Sequence, residues 1–135
     1  WRVKHIGTTL MTAGGLALLG MPASTIAQAG SVPPISKGER AFQKCYSCHA
    51  LGEDDEGAQG PSLKGIVGRK VAARPGYDYS PAMRAYANTQ PRWTRETLDA
   101  FLADPQRVVP DNEMGFFGLQ DPAERKAMID FLAAR

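Results

Sequence analysis

The sequence has few of the residues on which most metal and disulfide sites depend. It contains only two cysteines and two histidines in 135 residues. A structural zinc site normally takes four Cys or His ligands, so the count alone argues against one. No paired carboxylates or activated nucleophile stand out either, and a hydrolytic enzyme is therefore not indicated.

The sequence also lacks a strong excess of charge. Its formal net charge is +2, and its 16 basic residues include Arg2 and Lys4 near the N-terminus. Without these two, the basic residues equal the 14 acidic ones. No stripe of Lys and Arg is present, so we do not expect nucleic acid as a partner. The length and a hydrophobic content of 43% predict one globular domain.

A hydrophobic run long enough for an ordinary membrane span is missing as well. The apolar stretch IGTTLMTAGGLALLGM, residues 6–21, is shorter than the ~20 residues that cross a bilayer, and threonine and glycine interrupt it. Basic residues precede it, and small residues at Ala27 and Ala29 follow. This order is typical of a secretory signal. We predict a signal peptide at residues 1–29, cleaved to leave a domain at 30–135 in the periplasm. A retained segment would instead anchor the domain to the membrane.

The two cysteines stand in the stretch KCYSCHAL, as Cys45 and Cys48, with His49 directly after them. Zinc would lack ligands, and a thioredoxin-like site needs alternating strands and helices that the pattern does not show. A disulfide would leave His49 unexplained. The spacing C-x-x-C-H is typical of covalent haem attachment. Each thiol can add to one haem vinyl group, and His49 is then carried beneath the iron. We predict one haem c.

A haem iron held by histidine commonly takes methionine as its second axial ligand. Outside the predicted signal the candidates are Met83, Met114 and Met128. Met128 lies in a helical pattern and is predicted to pack in the core. Met114 lies in VVPDNEMGFFGL, where proline and glycine predict a loop between helices. We predict Met114 as the ligand. Met83, after Ser80-Pro81 at the start of a short helix, is the second candidate and is expected to pack against the haem.

Helical periodicity recurs along the predicted domain and indicates an all-α fold. Gly38, Ala41, Phe42 and Cys45 recur at positions i, i+3, i+4 and i+7 of a first helix. A later helix is predicted from Thr94 to the Asp104-Pro105 pair, and a last one begins after Asp121. A glycine on the face of the first helix would let two helices approach closely.

From Ser36 to Arg135 the sequence resembles the class I c-type cytochromes, the family of mitochondrial cytochrome c and its bacterial relatives. The resemblance rests on motifs in the same order: GERAFQKCYSCHAL, GPSLKGIVGRK, GYDYS, RWTRETLDAFLADPQRVVP, NEM and the closing helix. It implies a small cytochrome c fold, with three to five helices wrapped around one covalently attached haem.

The resemblance also implies roles for individual residues around that haem. Cys45 and Cys48 match the thioether cysteines, and His49 matches the proximal ligand. Pro61 matches the proline whose carbonyl accepts the histidine Nδ1–H, a contact that fixes the ring. Met114 matches the distal ligand.

Other matches lie farther from the iron. Arg69, Tyr79 and Trp93 match residues that hydrogen-bond a haem propionate. Gly38 and Phe42 match first-helix residues that cross the last helix.

The resemblance implies a one-electron carrier between the redox complexes of a respiratory or photosynthetic chain. We expect redox proteins as donors and acceptors, no small-molecule substrate, and a monomer. A peroxidase or gas-binding enzyme would need an open sixth position and a distal acid–base residue, for which no histidine is left. We therefore predict that the protein is not an enzyme. A haem subunit or membrane-tethered domain that serves one redox enzyme stays open as an alternative.

Some positions depart from the family pattern. Phe101 stands where mitochondrial members carry a tyrosine that hydrogen-bonds the ligand sulfur, so this contact is either lost or taken over by Asn112. Asp111 and Glu113 replace the usual glycine and lysine beside the distal methionine, and Asp111 is expected to adopt a left-handed backbone. These acids predict weaker steering towards an acidic partner.

Overall fold

The computed structural model describes residues 33–53 and 58–135, and five α-helices provide the regular structure of these two ranges. They are α1 (Lys37–Phe42), α2 (Pro81–Thr89), α3 (Arg95–Ala103), α4 (Pro105–Val108) and α5 (Pro122–Ala133). The only β-pairing there is an isolated bridge between Lys70 and Arg92. The all-α prediction is confirmed. The predicted signal peptide, residues 1–29, lies outside the described residues.

The longer helices begin where the sequence predicts. Ser80 caps α2 by accepting a hydrogen bond from the Met83 backbone N–H at 3.1 Å. Thr94 caps α3 in the same way, and the Thr97 hydroxyl accepts in return from the Thr94 backbone N–H, which completes a capping box. Asp121 caps α5. Proline occupies the first turn of α2, α4 and α5, where its missing N–H costs nothing.

Two boundaries differ from the predicted ones. The helix α1 ends at Phe42, and Cys45 lies in the tight turns that follow it, where its N–H bonds the Phe42 carbonyl at 2.8 Å. The second difference is α4. The sequence did not predict this helix, because the Asp104-Pro105 pair was read only as the end of α3. Asp104 ends α3 and also caps α4, its carboxylate accepting from the Arg107 N–H at 3.1 Å.

The first and last helices cross where Gly38 of α1 meets α5. A methyl group built on Gly38 would lie 2.2 Å from the Ala127 carbonyl oxygen and 2.5 Å from the Phe131 Cβ. Beside this point the rings of Phe42 and Phe131 lie 5.6 Å apart. The predicted close approach of these two helices is confirmed.

The helix α3 packs against α5 and completes one side of the core. The Arg125 guanidinium joins the two helices by donating to the Asp99 carboxylate at 2.7 Å. Met128 of α5 is fully buried, as predicted. No helix among the described residues is both long enough and apolar enough to traverse a bilayer.

Candidate cofactor site

Cys45, Cys48 and His49 lie together in the turns that follow α1. The N–H groups of Cys48 and His49 both bond the Cys45 carbonyl, at 3.1 and 2.9 Å. These bonds fix the short segment as one compact turn. The segment therefore presents two sulfur atoms and an imidazole to the same side of the chain, without needing a long helix.

Two neighbours fix the ring of His49. Its Nδ1 lies 2.8 Å from the Pro61 carbonyl oxygen. A carbonyl can only accept, so the proton lies on Nδ1 and the lone pair of Nε2 is left for a metal. Gly60 packs directly against the ring, since a methyl group there would lie 2.4 Å from Cε1. The resemblance implies this role for Pro61. It does not name Gly60, although the GPSL motif places that glycine directly before Pro61 and could have indicated it.

The two thiols differ in their surroundings. Burial raises the pKa of the Cys45 thiol to about 11, although the neighbouring Lys44 opposes this rise. Cys48 lies 3.6 Å from both the Ser47 hydroxyl and the Gln59 side-chain oxygen. Cys45 is thus the buried thiol, and Cys48 lies next to polar groups. This difference suits a ligand with one end inside the fold and the other near its surface.

These groups border a cavity of about 420 Å³. This volume falls in the range of about 300–1,000 Å³ that is usual for cofactor sites. Aromatic and aliphatic side chains of the core form much of its wall, together with Cys45, Cys48, His49, Met83 and Met114. The structure thus brings the predicted sulfur, imidazole and thioether groups to one apolar cavity. Met128 lies outside the wall of this cavity.

Asn112 fixes the loop that carries Met114. Its side-chain oxygen accepts from the Met114 N–H at 2.9 Å, and its amide donates to the carbonyls of Pro105 and Val109 at 3.1 and 2.8 Å. Both amide hydrogens are therefore used. The suggestion that Asn112 takes over a hydrogen bond to the Met114 sulfur is wrong for this reason. As predicted, Asp111 beside it has a left-handed backbone, with φ of 62°.

The three predicted propionate contacts, Arg69, Tyr79 and Trp93, also border the cavity. The Arg69 guanidinium donates to the carbonyls of Ser62 and Lys64 at 2.8 and 3.0 Å, which holds it at the cavity wall. The Tyr79 hydroxyl accepts from a backbone N–H at 3.3 Å. The structure places these polar groups at the cavity, and their contact with a propionate stays a prediction.

Phe101 of α3 forms part of the cavity wall at the position where the family pattern implies a tyrosine. Its ring is 7% exposed and lies 5.0 Å from the ring of Trp93. This side chain offers no hydroxyl to a ligand sulfur. Among the groups predicted near that sulfur, neither Phe101 nor Asn112 can donate to it, so this part of the cavity is more apolar than the family pattern implies.

A family model for cytochrome c matches residues 35–135. The chain belongs to the cytochrome c family. It is 39% identical over 98 residues to cytochrome c2 of Agrobacterium tumefaciens, covering 73% of this chain and 88% of that protein. It is 37% identical over 125 residues to cytochrome c2 of Rhodomicrobium vannielii, covering 93% of this chain and 98% of that protein.

Solved structures agree with this assignment. Cytochrome cH from Methylobacterium extorquens matches with a TM-score of 0.66 and 34% identity, over 73% of this chain and 96% of that one. The cofactor of this cytochrome is one covalent haem c, attached through Cys45 and Cys48. The chain is a monohaem electron carrier, and its partners are redox proteins.

Proposed function

We propose that this cytochrome is a periplasmic one-electron shuttle whose haem iron is held by His49 and Met114. The observation that supports this most directly is the shared cavity. An imidazole with a fixed ring, a methionine on an anchored loop and both thioether cysteines all border it. His with Met is a ligand pair that raises the potential of a haem iron.

The haem group supplies the chemistry by alternating between ferrous and ferric iron. The protein's part is to hold both axial groups still. The bond from His49 to Pro61 keeps Nε2 in one orientation and makes the ring a more basic ligand. The tie from Met114 to Asn112 holds the opposite group on its loop. Two ligands held in this way would need to move little between oxidation states, so an electron could pass with little rearrangement of the protein.

The same arrangement argues against an enzyme. A peroxidase needs a position on the iron that a substrate can reach and a side chain nearby to move protons. Met114 would occupy that position, and His49 is already used by Pro61. We therefore expect electron transfer without an added catalytic step.

Location follows from the N-terminal sequence. The basic cluster, the short apolar run and the small residues at Ala27 and Ala29 indicate export, and a cleaved signal would release the domain into the periplasm. If residues 1–29 are retained, the alternative is a membrane-tethered domain that serves one redox enzyme.

The charged residues near the mouth of the cavity indicate which kind of redox partner can dock there. Lys44 borders the cavity, but its ammonium pairs with Glu124 at 2.6 Å. Lys64 is likewise paired, with Glu53. Glu113 is exposed at the rim and helps to raise the pKa of Tyr77, after the larger effect of burial. A lysine-seeking partner would find less positive charge here than on basic family members.

Substitution of the axial methionine tests the ligation. In ferric cytochromes a methionine sulfur bound to iron gives a weak far-red absorption band. Met114→Ala should abolish this band in the holoprotein because it removes the sulfur. Met83→Ala, at the other methionine of the cavity wall, should leave the band in place. A band that survives in Met114→Ala, or is lost in Met83→Ala, would contradict the assignment.

A further inference from the structure

We propose that Asn112 is the positioning residue that keeps Met114 bound to the iron. This inference rests on the proposed His49–Met114 ligation and goes one step beyond it. Asn112 is only 7% exposed, although its side chain carries a full amide. Buried amides are costly unless their hydrogen bonds are satisfied, so the contacts of this side chain are informative.

Every polar group of Asn112 is engaged, and most of its partners belong to α4 or its ends. Its amide donates to the carbonyls of Pro105 and Val109, and its own N–H bonds Val109 at 3.2 Å. Its backbone oxygen accepts from the Gln106 side chain at 3.1 Å. Asn112 is therefore locked to the short helix just before the loop.

The remaining group, the side-chain oxygen, accepts from the Met114 N–H at 2.9 Å. This is an Asx-type turn, in which the side-chain oxygen of an asparagine accepts from the backbone N–H two residues later. It fixes the backbone of the ligand residue itself. The bonds from Asn112 back to the Val109 carbonyl span Asp111, whose left-handed backbone a non-glycine residue adopts only when its surroundings impose it.

The base of this arrangement is rigid. Pro105 is among the fully buried side chains, and α4 follows directly on α3, which packs against α5. A chain of contacts thus runs from the core through α4 and Asn112 to Met114. Without the amide, two carbonyls would lose a donor and the loop would lose its link to α4. The Met114 sulfur would then leave the iron more often, while the thioether bonds still hold the haem.

Imidazole competes with the axial methionine for ferric iron and so measures how often the loop opens. In the holoprotein, Asn112→Ala should raise the apparent imidazole affinity by roughly 10- to 100-fold, the equivalent of one or two buried hydrogen bonds. Asn112→Asp keeps the acceptor for the Met114 N–H but removes both donors, and it should also raise the affinity. Gln106→Ala removes one supporting bond and should give a smaller rise.

Two controls separate ligand positioning from general destabilisation. Asn88→Ala changes the chain's other asparagine, which is exposed, and should leave imidazole affinity unaltered. In a Met114→Ala background no sulfur has to be displaced, so adding Asn112→Ala should change the affinity by less than about twofold. If Asn112→Ala yields no holoprotein, the imidazole affinities of Asn112→Asp and Gln106→Ala test the positioning role instead.

The outcomes distinguish this inference from the ligation on which it rests. If the far-red band is lost in Met114→Ala but the Asn112 variants bind imidazole within about twofold of the wild type, the positioning role is wrong and the ligation stands. If the wild type has no far-red band and binds imidazole as tightly as Met114→Ala, the ligation itself fails. The positioning role would also be wrong if Asn112→Ala raised the imidazole affinity equally in the wild type and in the Met114→Ala background.

Discussion

The imidazole of His49 is held between a hydrogen-bond acceptor and a glycine. The Pro61 carbonyl sets the proton on Nδ1, and Gly60 leaves room for the ring against its backbone. The hydrogen bond to Pro61 restricts rotation of the ring, and the contact with Gly60 restricts its translation. The ring can therefore present Nε2 to the cavity in only one way.

The contact between Gly60 and His49 predicts a loss of stability when a methyl group is added. In Gly60→Ala the new Cβ would lie 2.4 Å from Cε1 and 2.7 Å from Nδ1, so the ring must tilt away and strain its bond to Pro61. We expect a loss of about 1–3 kcal/mol, as for other overpacked sites. Guanidinium chloride unfolding of the holoprotein, followed by haem absorbance, measures it.

Asn88→Ala is the control, because this residue is exposed on α2 and does not border the cavity. It should unfold nearly like the wild type. Equal stability of Gly60→Ala and Asn88→Ala would show that the His49 ring does not need this space.

At single residues the sequence was informative where a motif specifies chemistry. The C-x-x-C-H spacing led to Cys45, Cys48 and His49, and loop-forming residues around Met114 separated it from the buried Met128. The sequence did not predict the role of Gly60, and for Asn112 it predicted a contact with the Met114 sulfur in place of the bond to the Met114 N–H that the structure shows. Both roles depend on contacts across 11 residues and on a helix of four residues, which periodicity cannot reveal.

Among the secondary-structure elements, the crossing of α1 and α5 depends on one missing side chain. Gly38 lies where the Ala127 carbonyl of α5 approaches the backbone of α1. A carbonyl in a helix cannot turn aside as a flexible side chain can. The two helices must therefore separate if anything larger than hydrogen is placed at this position.

Helix propensity and packing make opposite predictions for Gly38→Ala. Propensity alone would stabilise α1 by about 1 kcal/mol. The methyl group would, however, lie 2.2 Å from backbone, and overpacking of this kind costs about 1–3 kcal/mol or more. We expect net destabilisation, measured by thermal or denaturant unfolding. Lys37→Ala, at an exposed position of the same helix, should change stability by less than about 0.5 kcal/mol. A Gly38→Ala protein as stable as the wild type would mean that the helices can move apart freely.

Helix prediction succeeded where caps and periodicity agreed, as for α3 and α5 with Thr94 and Asp121. It failed at α4, because Asp104-Pro105 signals both the end of one helix and the start of the next. It also extended α1 too far. Cys45 keeps the apolar spacing of that helix, but the backbone tightens into turns after Phe42 to present the two cysteines.

Across the whole molecule, the core and the cavity share their side chains. Trp93, Leu98, Phe101 and Leu102 belong to the buried hydrophobic cluster and also border the cavity. A domain of about 100 residues has a limited core of its own, so we expect an apolar cofactor in this cavity to complete the packing. We therefore expect attachment of the haem and folding of the chain to be closely coupled.

The charge distribution at the cavity mouth predicts weak electrostatic steering. Oxidation of the reduced protein by ferricyanide, a small anion, should depend only slightly on ionic strength, because Lys44 and Lys64 are paired with carboxylates. Glu113→Lys should raise the rate by at least about twofold at low salt by reversing the charge at the rim. The increase should disappear near 1 M salt, where the Debye length is about 3 Å.

Glu39→Lys makes the same change of charge on α1, at an exposed residue that does not border the cavity, and should raise the rate less. Equal effects of the two substitutions would show that net charge, and not its position at the rim, governs the encounter.

The central claim is that a single haem iron is bound by His49 on one side and by Met114 on the other. The most direct test is the proton NMR spectrum of the reduced holoprotein with methyl-labelled methionine, because the porphyrin ring current shifts the methyl group of a bound methionine far upfield. We predict one such three-proton resonance, and it should vanish in Met114→Ala and persist in Met83→Ala. A spectrum without this resonance, or one in which it belongs to Met83, would contradict the claim.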